Sequence, residues 1–359
     1  MPVISVRHLT IYRYKQPVAF GDHRMMLRPR DSYDQKLLDA TFAITPEPVD
    51  IRWVHDVFGN CVAITRFAGR AQELRFESVI RLDHSPTNAL DFQIEEYAKR
   101  YPFTYGADEM PDLLRLIERQ YLDPEHEVDR WARQFLRHDG RTDTSELLAA
   151  MTHTIRHDLT YVAREESGVQ DPVKTLRMMS GSCRDFAVLM MEGVRSLGLA
   201  ARFVSGYLYV REGERGGRIG GDATHAWLQV YLPGAGWVEF DPTNGIVGNH
   251  DLIRVAVARD PRQAVPISGT WTGFPSDSLG MTVGSRSPPR ALRPRTLLKK
   301  PAGRAPRGEP TPRPHRQARS LRTGRTIDST LKIACRIDHI AMQVKYLEAE
   351  CRSRRARSR

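Results

Sequence analysis

From Pro2 to about Leu82, apolar and polar residues alternate in short runs, ISVRHLTIYRY, KLLDATFAITP, IRWVHDVFGNCVAITRF and ELRFESVIRL, separated by turn signals such as PEP and FGN. Alternation with a period of two places every second side chain on one face, the pattern of half-buried strands. About 85 residues of such strands predict an antiparallel β-sandwich. The period then lengthens. PEHEVDRWARQFLR, residues 124–137, gathers Val128, Trp131, Phe135 and Leu136 on one side of a helix that opens on a proline. SELLAAMTHTIRHDL predicts a second helix, with Ser145 as its cap. DPVKTLRMM gives a short third one. Ser180 and Gly181 break it, and CRDFAVLMMEGVRSLGL resumes helical spacing as far as Gly198, a natural stop. Beyond Gly198 the period returns to two in ARFVSGYLYV, HAWLQVYL and GWVEFDP, the last two joined by PGAG as a hairpin. Helices followed by a short antiparallel sheet make this half α+β.

A chain of 359 residues is longer than one small core usually organises. The pattern divides it into a β-sandwich over 1–88, a mixed core with its preceding helices over 89–284, and a tail over 285–359. No apolar run reaches the roughly 18–20 residues of a membrane helix. The N-terminus alternates like a strand instead of carrying the continuous apolar core of a signal peptide. The expectation is a cytoplasmic protein without a membrane partner.

The net charge of +11 invites a nucleic-acid reading, but its distribution changes that. Of 54 Lys+Arg and 43 Asp+Glu, 21 and 5 fall in 285–359, so the first 284 residues carry 33 against 38. The basicity belongs to the tail. This Arg- and Pro-rich segment has almost no aromatic residues and is expected to be disordered. Two readings stay open for it: an extension that contacts nucleic acid or another anionic surface, or out-of-frame sequence beginning after about Val283.

Four cysteines, Cys61, Cys183, Cys335 and Cys351, form no CxxC pair and fit neither a zinc site nor a disulfide framework. Only Cys183, in SGSCRDF, has an unusual setting. It falls in the first turn of a helix whose Phe186, Leu189, Met190 and Val194 would anchor it in a core. A helix start carries partial positive charge and unpaired N–H groups, which favour an ionised sulfur and can receive the oxyanion of a tetrahedral intermediate. Gly181 and Ser182 leave little bulk before the sulfur. A thiolate nucleophile needs a base, and the base an orienting acceptor. His225 opens the strand HAWLQVYL and Asp241 closes GWVEFDP, so a hairpin turning near Pro233–Gly236 brings them side by side. His153 and His157, four apart on a helix, have no third ligand nearby and read as exposed helix residues, not as a metal pair.

GSCRDFAVLMMEGVRSLGLAARFVSGY and DATHAWLQVYLPGAGWVEFDPTNG together resemble the core of the bacterial transglutaminase-like superfamily, papain-like enzymes with a Cys–His–Asp triad. The N-terminal β region is similar to the domain that precedes this core in many bacterial members. The resemblance covers about residues 2–284. It implies Cys183 as nucleophile, His225 as base and Asp241 as orienting acid, with Trp227 and Trp237 at the aromatic positions around them. The superfamily contains cross-linking transglutaminases, amide hydrolases, proteases and inactive members. The resemblance therefore implies acyl-thioester chemistry on a protein or peptide substrate with amide groups, hydrolysis being favoured over cross-linking; the alternative is an inactive scaffold of the same fold. No cofactor is expected, and GGDATHAW offers one acid and no calcium-loop spacing. Trp227 and Tyr207 are the expected substrate-binding side chains. Arg184 could shape the pocket or sit in a solvent-side ion pair, and Asp185 suits the helix start. Asn244 and His250 follow DPT and could reach the cleft, but neither is counted among the expected site residues. No feature specifies an oligomeric state.

Overall fold

In the computed structural model the described residues are 3–85, 93–138, 140–164, 168–210, 219–221, 223–286 and 334–338. The chain begins with strands β1 (Val3–Met25), β2 (Gln35–Thr45), β3 (Asp50–His55), β4 (Cys61–Arg66) and β5 (Arg70–His84). Ile4, Val6, His8 and Thr10 alternate with more exposed neighbours, as the sequence pattern requires. The first half of β1 pairs with β5, and the second half pairs with β4, all antiparallel. Tyr12, Leu74 and Phe76 share one core with Met25 and Ala63, so the sheet folds over on itself along β1 and closes as a sandwich.

Between the sandwich and the second sheet lie short strands and helices: β6 (Arg100–Tyr101), α1 (Met110–Ile117), α2 (Glu127–Arg133), β7 (Thr142–Asp143), α3 (Thr144–Asp158), β8 (Thr160–Tyr161), α4 (Pro172–Met178), β9 (Ser180–Gly181) and α5 (Cys183–Ser196). Helix α2 is shorter than its apolar spacing predicts, starting at Glu127 and ending at Arg133. Helix α3 is capped by Asp143 and not by Ser145: the Asp143 carboxylate accepts from the Glu146 N–H at 2.9 Å, a bond that typically contributes about 1 kcal/mol. His153 and His157 are exposed on it, as expected. Helix α5 is the centre of the core. Its Phe186, Leu189, Met190 and Val194 are buried with Leu147, Met151, Phe203, Leu228 and Val230, each large side chain contributing roughly 1.5–3 kcal/mol on burial.

The second sheet is antiparallel. It contains β10 (Ala201–Leu208), β11 (His225–Leu232), β12 (Gly236–Asp241), β13 (Ile246–Val247) and β14 (Leu252–Ala258), in the order β13-β12-β11-β10-β14. Strand β14 is its edge, and two side-chain amides of the sandwich close that edge. Asn60 donates to the Val257 carbonyl at 2.7 Å and accepts from the Val257 N–H at 2.9 Å; Gln35 does the same for Arg254 at 2.9 and 3.0 Å. A row of otherwise unpaired backbone groups is satisfied in this way.

Two further strands follow the second sheet in the chain. β15 (Ile267–Thr272) and β16 (Ser278–Arg286) do not join the second sheet; they return to β1, β16 against its first half and β15 against its second. Ile267 and Trp271 enter the sandwich core. A last strand, β17 (Ala334–Asp338), pairs with β15. The rest of the predicted tail, 287–333 and 339–359, lies outside the described residues. No helix among the described residues is long and apolar enough to cross a membrane.

Candidate active site

Cys183 reaches its position through a chain of local constraints. Asp171 caps α4 by accepting from the Val173 N–H at 2.9 Å, and the helix ends at Met179 in the left-handed region, φ 47°. That reversal aims Ser180–Gly181 alongside Thr160–Tyr161 in a parallel two-residue pairing. The chain then turns directly into α5 with Cys183 as its first helical residue. The turn is held by Asp185, which is fully buried. Its Oδ2 accepts from the Ser182 N–H and hydroxyl, both at 2.8 Å, and pairs with Arg164 at 2.8 Å, while Oδ1 accepts from the Gln170 N–H at 2.6 Å. Asp185 is thus the buried hub of the nucleophile turn, more than a carboxylate that suits a helix dipole. Gly181 serves the same hub: a Cβ there would come within 2.8 Å of the Asp185 Cβ. Its smallness lets the turn close, instead of clearing space before the sulfur as the sequence suggests.

The β11–β12 hairpin delivers the other two residues. Leu228 stands opposite Phe240 and Val230 opposite Val238. Extended by one step, this register sets Asp241 across from Trp227 and diagonal to His225, within reach of long side chains. His225 Nε2 and Asp241 Oδ2 are 2.8 Å apart, and both side chains are fully buried. Asp241 Oδ1 accepts from the Thr243 N–H at 2.9 Å. Asn244 completes the set. Its Nδ2 donates to Asp241 Oδ2 at 2.8 Å and to the Ile219 carbonyl at 3.1 Å, and its Oδ1 accepts from the Ile219 N–H at 2.8 Å. The loop preceding the base is therefore fastened to the carboxylate that orients the base. Gly220, φ 95°, lies so close over the ring that a Cβ would come within 2.7 Å of His225 Nδ1.

Burial alone would depress the His225 pKa. The Asp241 carboxylate, with its hydrogen bond, and the nearby Cys183 side chain outweigh it and hold the imidazole well above its usual range. Burial pushes Asp241 upward, but His225, Asn244 and the Thr243 N–H overcome it and hold the carboxyl below its ordinary value. The structure thus brings together all three residues that the sequence singles out as nucleophile, base and orienting acid.

Cys183 and His225 open onto a cavity of about 350 Å³. Its wall includes Tyr161, Arg164, Arg184 and Ser205, and strand β16 contributes Val283. Burial, followed by the charge of Cys183, pushes the Tyr161 hydroxyl up to about 12, with Arg184 acting in the opposite direction.

Neither expected substrate-binding aromatic lines this cavity. Trp227 is fully buried, stacked on His225 with ring centroids 5.9 Å apart, and packed with Val204, Leu208 and Ile246. It backs the imidazole. Tyr207 is buried among Ile4, Val6, Ile80 and Leu82 of the sandwich and sits 5.8 Å from the His8 ring. It seals the contact between sandwich and sheet. Trp237 instead carries the Arg202 guanidinium over its ring at 4.0 Å. His250 pairs with Asp251 at 2.8 Å and does not enter the cluster, whereas Asn244 does. Tyr161, Arg164 and Gln170 were invisible in the sequence pattern, since they sit in the connection between α3 and α4 with no periodic signal.

Comparisons agree with this architecture. Residues 4–83 match the model of the bacterial transglutaminase-like N-terminal region, and residues 130–242 match that of the transglutaminase-like superfamily. The chain is 29% identical over 281 residues to the protein Rv2569c of Mycobacterium tuberculosis, spanning 74% of this chain and 86% of that one. It is 39% identical over 71 residues to YebA of Bacillus subtilis, a stretch of 18% of this chain and 10% of that one. Among solved structures, a protein from Cytophaga hutchinsonii proposed to be a cysteine protease superposes with a TM-score of 0.59 at 18% identity, covering 81% of this chain and 93% of the other. With the N-terminal region and core both matched and the fold shared, the chain belongs to the transglutaminase-like superfamily.

Proposed function

We propose that the chain is a cysteine-dependent acyl-transfer enzyme that hydrolyses amide or peptide bonds through a thioester. The observation that carries this reading is the buried His225–Asp241 pair, with Cys183 at the start of α5 on the wall of the same cavity as His225. His225, made more basic by Asp241, takes the thiol proton. The sulfur attacks the substrate carbonyl carbon, forming a C–S bond and a tetrahedral oxyanion. The Cys183 and Arg184 N–H groups, at the start of α5, have no helical carbonyl four residues back and are the donors that would receive that oxyanion. The C–N bond then breaks as the imidazolium protonates the departing amine. In the second half His225 deprotonates a water molecule, which attacks the thioester; the carboxylic acid leaves and the thiol regains its proton. Asp241 stays ionised and keeps the imidazole in one tautomer.

An amine in place of the water would give cross-linking from the same thioester. Hydrolysis is favoured here because the Cytophaga protein with which the chain shares its fold is itself proposed to be a cysteine protease. The substrate class is a protein or peptide. Casein incubated with the enzyme and a primary amine separates the outcomes by mass spectrometry. New peptide termini that vanish in Cys183→Ala support hydrolysis. Amine incorporation that vanishes in the same variant identifies a transferase. Neither product at any pH from 5 to 9 leaves the fold as a non-catalytic scaffold.

A further inference from the structure

The cavity at Cys183 has an unusual charge balance. Among the described residues that line it there are three arginines, Arg164, Arg184 and Arg262, and no aspartate or glutamate. Two of these cations are already committed. Arg164 is paired with Asp185 at 2.8 Å, and Arg262 with Asp260 at 2.8 Å. Arg184 differs: its partner among the described residues is the Arg164 carbonyl at 3.5 Å, and no described carboxylate approaches its guanidinium. It is half-buried and directly follows the nucleophile.

That placement is unfavourable for the protein by itself. A cation in the first turn of a helix opposes the helix dipole. Arg184 also reaches the backbone of the committed Arg164 and shares the cavity wall with His225. A half-buried guanidinium that no described carboxylate approaches, facing an open cavity, is a recognition group for a planar anion that comes from outside. We infer that Arg184 selects acyl donors that carry a carboxylate next to the scissile amide, as acidic peptides do. This inference rests on the cysteine-hydrolase reading above and names its substrate class. The carboxylate of the substrate pairs with the guanidinium that no described carboxylate reaches, and in doing so it sets the neighbouring carbonyl before Cys183.

The test uses two alkylating probes of nearly equal size, iodoacetate and iodoacetamide, which differ by one negative charge. In each, the Cys183 thiolate forms a C–S bond to the methylene carbon as the C–I bond breaks and iodide leaves to solvent. Their rate ratio at Cys183, read by peptide mass spectrometry and divided by the same ratio for glutathione, reports the cation at the nucleophile without any need for turnover. The expected ratio in the unaltered protein is roughly three- to tenfold above that of glutathione, the effect of one ion pair at a partly solvated site. Arg184→Lys retains most of it, Arg184→Gln loses it, and Arg184→Glu turns the preference toward iodoacetamide. A ratio unchanged in Arg184→Gln, or no preference in the unaltered protein, overturns the inference while leaving the nucleophile intact. Failure of both reagents to modify Cys183 overturns the hydrolase reading and this inference together. If Arg184→Gln does not fold, the unaltered protein and Arg184→Lys still decide the outcome. A second arm digests a tryptic peptide mixture from casein: cleavage sites are expected to be enriched in flanking Asp and Glu, an enrichment lost in Arg184→Gln. Absence of that enrichment in the unaltered enzyme also overturns the inference.

Discussion

His225 Nε2 and Asp241 Oδ2 lie 2.8 Å apart with no solvent access to either side chain, diagonal partners across a hairpin whose turn is only Pro233–Ala235. The carboxylate raises the basicity of the ring and the ring holds the carboxylate ionised, so neither group titrates as an isolated side chain. Replacing Asp241 by Asn keeps the shape and removes the charge. The expected result is a fall in kcat/KM of roughly a hundred- to ten-thousandfold. The alkaline limb of the pH profile, set by loss of the imidazolium, is expected to move toward lower pH. Steady-state kinetics from pH 5 to 10 read both effects.

The same pair makes a stability prediction. His225 has a raised folded pKa, so its contribution is fully present below its unfolded value of about 6.5 and is lost as pH rises through the folded value. Asp241 has a depressed folded pKa, so its contribution is present above about 3.9 and is lost as pH falls through the folded value. The stabilisation by the pair is therefore largest between about pH 4 and 6.5. Thermal unfolding should show the Tm gap between the unaltered protein and Asp241→Asn widest in that window and narrower at alkaline pH.

Asn244 holds Asp241 and the backbone of Ile219 at once. Asn244→Ala should lower kcat about tenfold, through a less constrained carboxylate, with a smaller change in KM. A merely structural role would lower Tm and leave the pH profile in place. The expected signature is a shift of that profile at nearly constant Tm.

Gly220 covers His225 so closely that a methyl group would meet Nδ1 at 2.7 Å, and its φ of 95° suits glycine alone. Gly220→Ala should displace either the loop or the imidazole and reduce activity by about tenfold or more, while circular dichroism stays unchanged.

Asn60 matters for a different reason. It satisfies both backbone groups of Val257 on the edge of the second sheet. Asn60→Leu leaves those two groups unpaired, at about 1–3 kcal/mol each. Denaturant unfolding should report that loss, with the kinetic constants of the remaining folded enzyme little altered.

The placement of Cys183 at a helix start and of His225 beside Asp241 was legible in the sequence because local pattern fixes each: a helix start behind Ser180–Gly181–Ser182, and two strands joined by a turn short enough to set their register. Helix α5 and strands β10 to β12 were legible for the same reason, through periodicity. What the sequence hid depends on contacts between distant segments. Strands β15 and β16 return over some 250 residues to pair with β1, and no local signal marks that destination. Trp227 and Tyr207 were expected at the cavity because strand aromatics near a base often line clefts. The opposing layers claimed both, Trp227 as the backing of His225 and Tyr207 as the seal against β1 and β5. Tyr161, Arg164 and Gln170 come to the site from an irregular connection, where pattern carries no information.

In the proposed chemistry the surroundings of Cys183 make it a nucleophile served by His225. Site-resolved alkylation by iodoacetamide from pH 5 to 9 tests this most directly, with Cys61, whose thiol burial pushes upward, as the internal reference. Cys183 is expected to react faster than Cys61 near neutrality, and His225→Ala to abolish the difference. A Cys183 that reacts no faster than Cys61, or equally fast with and without the imidazole, would contradict it.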